Sequence, residues 1–285
     1  MAQDRRTFLA NLGLAALTAA CGGRAASSPV LAGAAGKRRL SRIGIQLYTL
    51  RRNAQTDLAG TLGQIAKIGY KEIEFAGYYG HAPAEVRSIL DANGLTAPST
   101  HAGIDVIEKT PDKLFSESRI VGHEWITVPS LPPGPKNTAD DWKRIADQFN
   151  KAAAQVKSAG FRFAFHNHNA ELKKVGDITG LDVLIDSTDP SLVSYEMDIY
   201  WVVNGGGDPL AFLQRYPNRF KMLHVKDSMG PPDHKMVDVG VGTINFGKIF
   251  AAAKGIEHYF VEHDEPADAF KSAATSYGNL SRIEF

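Results

Sequence analysis

The 285-residue sequence has a single cysteine, no long hydrophobic run and no dense tract of basic residues. Because Cys21 has no second cysteine to pair with, internal disulfides are excluded as a source of stability. No stretch of about 18 consecutive apolar residues occurs, which excludes an ordinary membrane-spanning helix. A nucleic-acid partner would require clustered positive charge to neutralise phosphates. The formal net charge is only +1, so we expect no nucleic acid as the main partner.

What the sequence does have is the composition of an ordinary folded protein. Hydrophobic residues make up 44% of the chain and charged residues 22%. These values are typical of globular domains with a substantial core. The length is enough for one large domain or two small ones.

Residues 1–36 are predicted to be an export signal followed by a flexible tether. Arg5 and Arg6 precede a short apolar stretch from Leu9 to Ala20, and small residues follow it, which is the order found in signal peptides. The paired arginines with Phe8 and Leu9 resemble a twin-arginine signal, which exports already folded proteins. We therefore expect a bacterial protein whose folded part comprises residues 37–285.

Two alternatives remain open for the processing of this leader. Thr18-Ala19-Ala20-Cys21 resembles a lipoprotein cleavage box, which would leave Cys21 as a lipidated first residue. Alternatively, a signal peptidase cleaves near Ala32-Gly33-Ala34 and removes Cys21 with the leader. The first alternative predicts a membrane-anchored lipoprotein, and the second predicts a periplasmic protein.

From Arg42 onward, short β-branched or apolar runs alternate with longer helical patterns. The ends of the predicted strands lie 26 to 38 residues apart, close to the roughly 30 residues of a βαβ unit. The predicted strands are Ile43–Tyr48, Glu72–Phe75, Thr96–His101, Trp125–Val128, Phe161–His166, Val193–Asp198, Phe220–Val225 and Tyr259–Glu262. The clearest predicted helices are Leu58–Ile68, Ala82–Asn93, Asp140–Ala159, Ile244–Lys254 and Ala267–Ile283.

Eight such units predict an α/β fold, a single (β/α)8 TIM barrel, whose typical size is about 250 residues. The alternative is an open doubly wound sheet, which typically has a glycine-rich phosphate-binding turn after its first strand. Tyr48-Thr49-Leu50-Arg51-Arg52 stands there instead. The barrel is therefore favoured.

Polar side chains gather at the predicted carboxyl ends of the strands, where the active site of such a barrel lies. They are Gln46, Tyr48, Glu74, His101, His166, His168, Glu196, Asp198, His224, Lys226, Glu262 and Asp264. Each has an ordinary explanation by itself; Asp227 and Asp264, for example, would each cap the following helix. However, five of the nine histidines fall at strand ends (101, 166, 168, 224 and 263). Mixed imidazole and carboxylate ligands suit Mn²⁺, Zn²⁺, Fe²⁺ or Co²⁺, so we predict a divalent metal site.

The sequence resembles the sugar phosphate isomerase/epimerase family of xylose-isomerase-like barrels, which includes hydroxypyruvate isomerase and inosose dehydratase. The matching segments follow in order along the chain: Ile45–Arg51, Glu72–Gly80, His166–His168 with Glu171, Met197–Trp201 with Gly207–Pro209, His224–Asp227 and Val261–Glu262. The resemblance implies a metal held by Glu, Asp, His and Glu from the fifth to the eighth strands. Asp198, His224 and Glu262 match the last three positions.

The fifth-strand position departs from the family pattern, because His166 stands where many members have Glu. Either His166 is the ligand, or Glu171 folds back from the following loop to supply a carboxylate. We favour His166 because it lies at the strand end. The resemblance also implies removal of a proton next to a carbonyl, with the metal as a Lewis acid. His166 or His168, with Lys226 as an electrostatic partner, would act on one face of the substrate and Glu262 on the other.

The substrate expected from the resemblance is a sugar or keto-sugar. Tyr48, Glu74, His101 and Glu196 would hold its hydroxyl groups, and Trp201 would stack on it. The reaction is an isomerisation, an epimerisation or an elimination, for example from a 3-keto-glycoside, and the export signal favours an unphosphorylated substrate.

Two alternatives are an exported sugar-binding lipoprotein without turnover and an abasic-site endonuclease, an activity of the same superfamily. The endonuclease is disfavoured because residues 37–285 carry a net charge of about −1. The oligomeric state stays open.

Overall fold

The computed structural model describes residues 37–285, in which eight parallel strands close into a barrel. The strands are β1 (Gly44–Gln46), β2 (Glu72–Phe75), β3 (Thr96–His101), β4 (Trp125–Val128), β5 (Arg162–His166), β6 (Val193–Asp198), β7 (Phe220–Val225) and β8 (His258–Val261). Each strand pairs with its neighbours in sequence order, and β8 closes the barrel by pairing with β1. The predicted (β/α)8 TIM barrel is confirmed. The predicted export signal, the tether and Cys21 lie outside the described residues.

Helices surround the barrel on its outside. They are α1 (Arg51–Thr56), α2 (Leu58–Ile68), α3 (Pro83–Ala92), α4 (Ile104–Lys109), α5 (Pro111–Val121), α6 (Ala139–Ser158), α7 (Gly180–Ser187), α8 (Ile199–Asn204), α9 (Pro209–Arg215), α10 (Phe246–Ala252) and α11 (Ala269–Leu280). Two 3-10 turns, Leu47–Leu50 and Asn169–Leu172, follow β1 and β5. Two short hairpins pair Lys174–Val175 with Ile178–Thr179 and Asp227–Ser228 with Met236–Val237. Among residues 37–285, none of the helices combines the length and hydrophobicity that a membrane span requires.

The longest helix, α6, shows how the sequence pattern produces the outer layer. Its apolar residues recur every three or four positions, which places them on one face of a helix. Phe149 lies on that face, and its ring centroid is 4.9 Å from that of Phe165 on β5. Thr138 and Asp141 form a capping box at the start of the helix, satisfying backbone N–H groups that lack helical partners. Helix α6 is thereby fixed against the strand that precedes the candidate site.

Alternate residues of each strand point into the barrel, because side chains along a strand alternate between its two faces. Towards the amino-terminal end, the interior is filled by Trp125, Ala164, Met222 and Phe260. Gly44 permits this packing, since a Cβ there would lie 2.5 Å from Cδ1 of Phe260. Polar residues such as Glu74, His166 and His224 occupy later positions along the strands, toward the carboxyl ends.

Three local features differ from the sequence-based predictions. Strand β1 ends at Gln46, because its side-chain oxygen accepts a hydrogen bond from the backbone N–H of Tyr48 and starts a 3-10 turn. The capping explanation for Asp227 is wrong, because its carboxylate accepts hydrogen bonds from backbone N–H groups of the loop at 240–244. It is also wrong for Asp264, because helix α11 is capped by Asp268.

Candidate active site

A cavity of about 230 Å³ opens at the carboxyl ends of the strands. Its lining consists of Tyr48, His101, Pro129, His166, His168, Lys226, Glu262 and Asp264. Most of these residues were predicted as site residues from the sequence. The cavity is small, so it suits a compact molecule such as a monosaccharide unit rather than a large ligand.

Four side chains at the carboxyl ends of successive strands β5 to β8 converge beside this cavity. They are His166, Asp198, His224 and Glu262, all buried, each offering a ligand atom within 4.8 Å of the others. Nε2 of His166 lies 3.2 Å from Oδ2 of Asp198. Nδ1 of His224 lies 2.7 Å from Oε2 of Glu262 and 3.9 Å from Oδ2 of Asp198. The structure thus brings together the four residues that the sequence analysis favoured as metal ligands.

The position of Asp198 is fixed by its role at a strand–helix junction. As the last residue of β6, it caps helix α8 by accepting a hydrogen bond from the backbone N–H of Trp201 through Oδ1. Its own N–H donates to Oδ1 of Asn167, the residue after His166. One carboxylate oxygen is therefore committed to the helix, and the other, Oδ2, faces His166 and Lys226.

One buried atom in this group indicates that it fits a divalent cation. Nδ1 of His224 makes no hydrogen bond of acceptable geometry, although Oε2 of Glu262 lies only 2.7 Å away. Buried polar atoms without a hydrogen-bond partner are rare in folded proteins. Two imidazoles and two carboxylates form a donor set that suits Zn²⁺, Mn²⁺, Fe²⁺ or Co²⁺. The residues present therefore fit a divalent ion.

Glu171, the alternative fifth-strand ligand, lies apart from this group. It belongs to the 3-10 turn Asn169–Leu172, where its Oε2 accepts a hydrogen bond from the backbone N–H of His168. Burial raises the pKa of Glu171 to about 7. The structure thus assigns Glu171 to the turn and His166 to the converging group.

Lys226 supplies a buried positive charge among the carboxylates. Its Nζ lies 2.9 Å from Oδ2 of Asp198 and 2.8 Å from both Oε2 of Glu262 and Oδ1 of Asp264. Burial acts to lower the pKa of Lys226, but the three carboxylates outweigh it and hold that pKa well above its usual value. Lys226 is therefore a permanent cation. The sequence analysis did not predict Asp264 as a partner of Lys226. The only indication in the sequence was that Asp264 lies two residues after Glu262.

Glu74 and Glu196, which we predicted to hold substrate hydroxyl groups, lie beneath the cavity instead. Neither has exposed surface. Oε2 of Glu74 lies 2.6 Å from Nε2 of His224, and Oε2 of Glu196 lies 3.0 Å from the same nitrogen. Both carboxylates also lie 3.3 Å from Nε2 of His101. Of this lower group, His101 is the residue that reaches the cavity.

The remaining predicted residues lie at the cavity wall or behind it. Tyr48 is 41% exposed at the rim, and the guanidinium of Arg51 lies 4.0 Å from the centre of its ring. His168 lines the cavity, and burial lowers its pKa to about 3, so its imidazole is neutral. Trp201 lies behind His168, with 5.5 Å between the ring centroids. Tyr48 and His168 can therefore contact a molecule in the cavity directly.

Residues 62–276 match the family described as the xylose isomerase-like TIM barrel. The match covers more than half of the sequence and includes β2 to β8. The chain belongs to this family. In a TIM barrel the active site lies at the carboxyl ends of the strands, and the candidate site of this protein lies there too.

Three comparisons show how close particular relatives are. An inosose dehydratase from Bacillus anthracis is 32% identical over 100 residues, which are 35% of this chain and 33% of that enzyme. The match thus spans about a third of the relative's length. The crystal structure of a sugar phosphate isomerase/epimerase from Parabacteroides distasonis is 28% identical, with a TM-score of 0.75 over 90% of this chain and 99% of that one. The structure of the IOLI protein with a binding zinc atom is 14% identical, with a TM-score of 0.69 over 85% of this chain and 97% of that one, and shows the shared fold.

Proposed function

We propose that this protein is a metal-dependent lyase that acts on a sugar or keto-sugar by removing a proton from the carbon next to a carbonyl group. The observation that carries the proposal is the convergence of His166, Asp198, His224 and Glu262 beside a small polar cavity. Similarity to inosose dehydratase, whose name denotes loss of water, favours elimination. The zinc in the IOLI protein, which shares the fold, supports a divalent metal in this barrel.

The four converging residues would hold the metal ion. When bound, a divalent ion would polarise the substrate carbonyl as a Lewis acid and make the neighbouring carbon more acidic. Two carboxylates balance the two charges of the ion, and Lys226 balances part of the remaining negative charge. In this arrangement His166 and Glu262 would bind the metal. They would then not serve as the acid–base groups that the sequence analysis also considered them to be.

His168 is the side chain that we assign as the proton acceptor. It lines the cavity beside the converging group, and its ring centroid lies 4.8 Å from that of His166. A positioned imidazole that accepts a proton typically contributes about 10²- to 10⁴-fold to the rate. Lys226 remains charged and stabilises negative charge that develops on the substrate oxygen.

The elimination is balanced without a further reactant. The C–H bond next to the carbonyl breaks, and its proton passes to His168. The electron pair left on carbon forms a C=C bond as the bond from the next carbon to the leaving oxygen breaks. The leaving oxygen takes up the proton that His168 accepted and departs as water or as an alcohol. In a keto-glycoside that alcohol is the aglycone or a second sugar.

An isomerase or epimerase is the second candidate. It is favoured by the 28% identity to the Parabacteroides protein over nearly all of that chain. The first step would be the same, but the proton would return to the substrate instead of a leaving group departing. Only the fate of the substrate separates the two candidates.

The test uses the full chain loaded with Mn²⁺, Zn²⁺ or Co²⁺ and a set of keto-sugars and 3-keto-glycosides in D₂O, followed by NMR. A lyase releases the leaving group and forms an unsaturated product. An epimerase or isomerase incorporates deuterium next to the carbonyl without cleavage. His168→Asn is expected to abolish both outcomes at unchanged metal content. Saturable binding of a sugar with neither exchange nor cleavage would support the sugar-binding protein instead.

We also propose that the enzyme works outside the cytoplasm on unphosphorylated substrate. The support is the sequence of the leader, in which Arg5 and Arg6 precede an apolar stretch. Replacing both arginines with lysine is expected to retain the protein in the cytoplasm, as measured by fractionation. Cys21→Ala in the same assay separates the two processing alternatives, because only a lipoprotein would lose its membrane association.

A further inference from the structure

The two ring nitrogens of His224 face two different sets of carboxylates. Nε2 lies 2.6 Å from Oε2 of Glu74 and 3.0 Å from Oε2 of Glu196. Nδ1 lies 2.7 Å from Oε2 of Glu262 and 3.9 Å from Oδ2 of Asp198. All five side chains are buried. The ring therefore joins a lower group of carboxylates to the upper group that we assign to the metal.

The lower contacts determine which nitrogen carries the hydrogen. A bare nitrogen lone pair pointing at two carboxylate oxygens would be repulsive, so Nε2 must be an N–H that donates. Glu74 is an acceptor for independent reasons, because Nε2 of Gln46, which can only donate, lies 2.8 Å from its Oε2. The hydroxyl of Ser99 donates to the other oxygen of the same carboxylate. Glu74 thus acts as a hydrogen-bond acceptor toward neighbours other than the histidine.

We propose that Glu74 and Glu196 are positioning residues that fix the Nε2–H tautomer of His224 and so present the Nδ1 lone pair to the metal. This inference rests on the metal centre of the proposed function. A ligating histidine is commonly oriented by a carboxylate at its other nitrogen, and loss of that partner lowers metal affinity about 10- to 100-fold. Nδ1 faces Oε2 of Glu262 at 2.7 Å, so its lone pair is favourable there only with a cation between the two atoms.

The same lower group offers a competing explanation, because Glu74, His101, Glu196 and His224 by themselves bring four ligand atoms within 4.8 Å. The hydrogen bonds argue against a second ion there. Both oxygens of Glu74 already accept hydrogen bonds from Gln46 and Ser99. A cation would have to share Oε2 of Glu74 with an N–H donor aimed at it. We therefore expect one ion per chain.

The first experiment measures Zn²⁺ stoichiometry and affinity of the full chain by calorimetry against a competing chelator. One ion per chain is expected, with affinity reduced about 10- to 100-fold in Glu74→Gln and in Glu196→Gln. Glu72→Gln is the matched control, because Glu72 is a buried glutamate two residues earlier on β2 that contacts His258 and Arg42. Its affinity should equal that of the wild type. Two ions per chain, with one lost in Glu74→Gln, would overturn the proposal in favour of a second metal site.

The second experiment reads the tautomer directly and needs no activity. Long-range ¹H–¹⁵N correlation NMR of histidine-labelled protein distinguishes an Nε2–H ring from an Nδ1–H ring. We expect Nε2–H with metal on Nδ1 for His224 in the Zn²⁺-loaded wild type. Metal on Nε2, or an unchanged affinity in both glutamine variants, would refute the positioning role and leave the metal centre intact. A wild type that binds no divalent ion would refute the proposed metal centre itself.

Discussion

The ammonium group of Lys226 lies 2.8 Å from the carboxylate of Glu262, and both side chains are buried at the floor of the cavity. Lys226 also contacts Asp198, so one cation bridges two of the four predicted metal ligands. A divalent ion at the proposed centre would therefore act on the same carboxylates as Lys226. We expect the protein to depend on Lys226 more strongly without metal than with it.

Replacing Lys226 with methionine should separate these two states. The change leaves buried carboxylates without a partner, which typically costs about 3 to 5 kcal/mol of folding free energy. We expect a lower melting temperature without metal, restored largely by Zn²⁺, and turnover reduced about 100-fold or more. Lys143→Met is the control, because Lys143 lies in a surface pair with Asp140, and such changes stay within about 0.5 kcal/mol. Equal melting temperatures for Lys226→Met and wild type without metal would contradict this account.

His166→Ala and Glu171→Ala test which residue of the fifth strand and its loop holds the ion. Nε2 of His166 lies 3.2 Å from Asp198, whereas Glu171 accepts a backbone hydrogen bond in the turn. A residue that only hydrogen-bonds to a metal ligand typically contributes roughly 10- to 100-fold to metal affinity. We expect His166→Ala to reduce the affinity by more than that. Glu171→Ala should bind metal as the wild type does but unfold more easily. The reverse pattern, read by metal analysis and thermal unfolding, would assign the ligand to Glu171.

His123 predicts a pH dependence of stability away from the site. Its Nδ1 lies 2.7 Å from the carbonyl oxygen of Ala97 and its Nε2 lies 2.9 Å from the hydroxyl of Tyr78. Burial lowers the pKa of His123 to about 4, while an unfolded histidine has a pKa near 6.5. Below pH 6.5 the unfolded state gains a proton that the folded state does not, so stability falls as the pH falls toward 4.

The contribution of His123 amounts to roughly 3 to 4 kcal/mol, fully present above pH 6.5 and lost near pH 4. Urea unfolding of wild type and His123→Gln at several pH values measures it. The stability difference between the two proteins should shrink between pH 7 and pH 5. A difference that does not change with pH would show that His123 takes up a proton while folded.

Gly44→Ala tests the packing of the barrel interior. The new Cβ would lie 2.5 Å from Cδ1 of Phe260, and overpacking of this kind typically costs about 1 to 3 kcal/mol. Phe260→Leu in the same chain should recover part of that loss. Gly278→Ala is the control, because its Cβ would meet nothing closer than 3.7 Å within α11, and alanine in a helix is favoured by roughly 0.5 to 1 kcal/mol. Unfolding midpoints in urea give the comparison.

The barrel and the gathering of polar residues at one end of it were predictable because strand ends in a closed parallel barrel must meet. The choice of Asp198, His224 and Glu262 among these residues came from the resemblance to the family. Depth within the barrel was not predictable in the same way. Glu74 and His101 both lie near the carboxyl ends of their strands, yet Glu74 is sealed beneath the cavity and His101 reaches it. The difference in depth between Glu74 and His101 depends on the stagger between neighbouring strands. The spacing of residues along one strand carries no information about that stagger.

Loop geometry accounts for the other differences. Glu171 is close enough to His166 in the sequence to be a candidate ligand. However, the 3-10 turn directs its carboxylate back to the backbone N–H of His168. Asp264 resembles a helix cap, but the chain runs on to Asp268 before α11 begins, which leaves Asp264 for Lys226. The position of Glu171 depends on the path of a short turn, and that of Asp264 depends on a contact with a distant segment. Neither can be predicted from the local sequence.

The most direct test of the metal centre is a crystal structure of the protein loaded with Mn²⁺ or Zn²⁺, with the ion located by anomalous scattering. We predict one peak about 2.0 to 2.3 Å from His166 Nε2, Asp198 Oδ2, His224 Nδ1 and Glu262 Oε2. A peak held by Glu171, a peak among Glu74, His101 and Glu196, or no peak at saturating metal would contradict it.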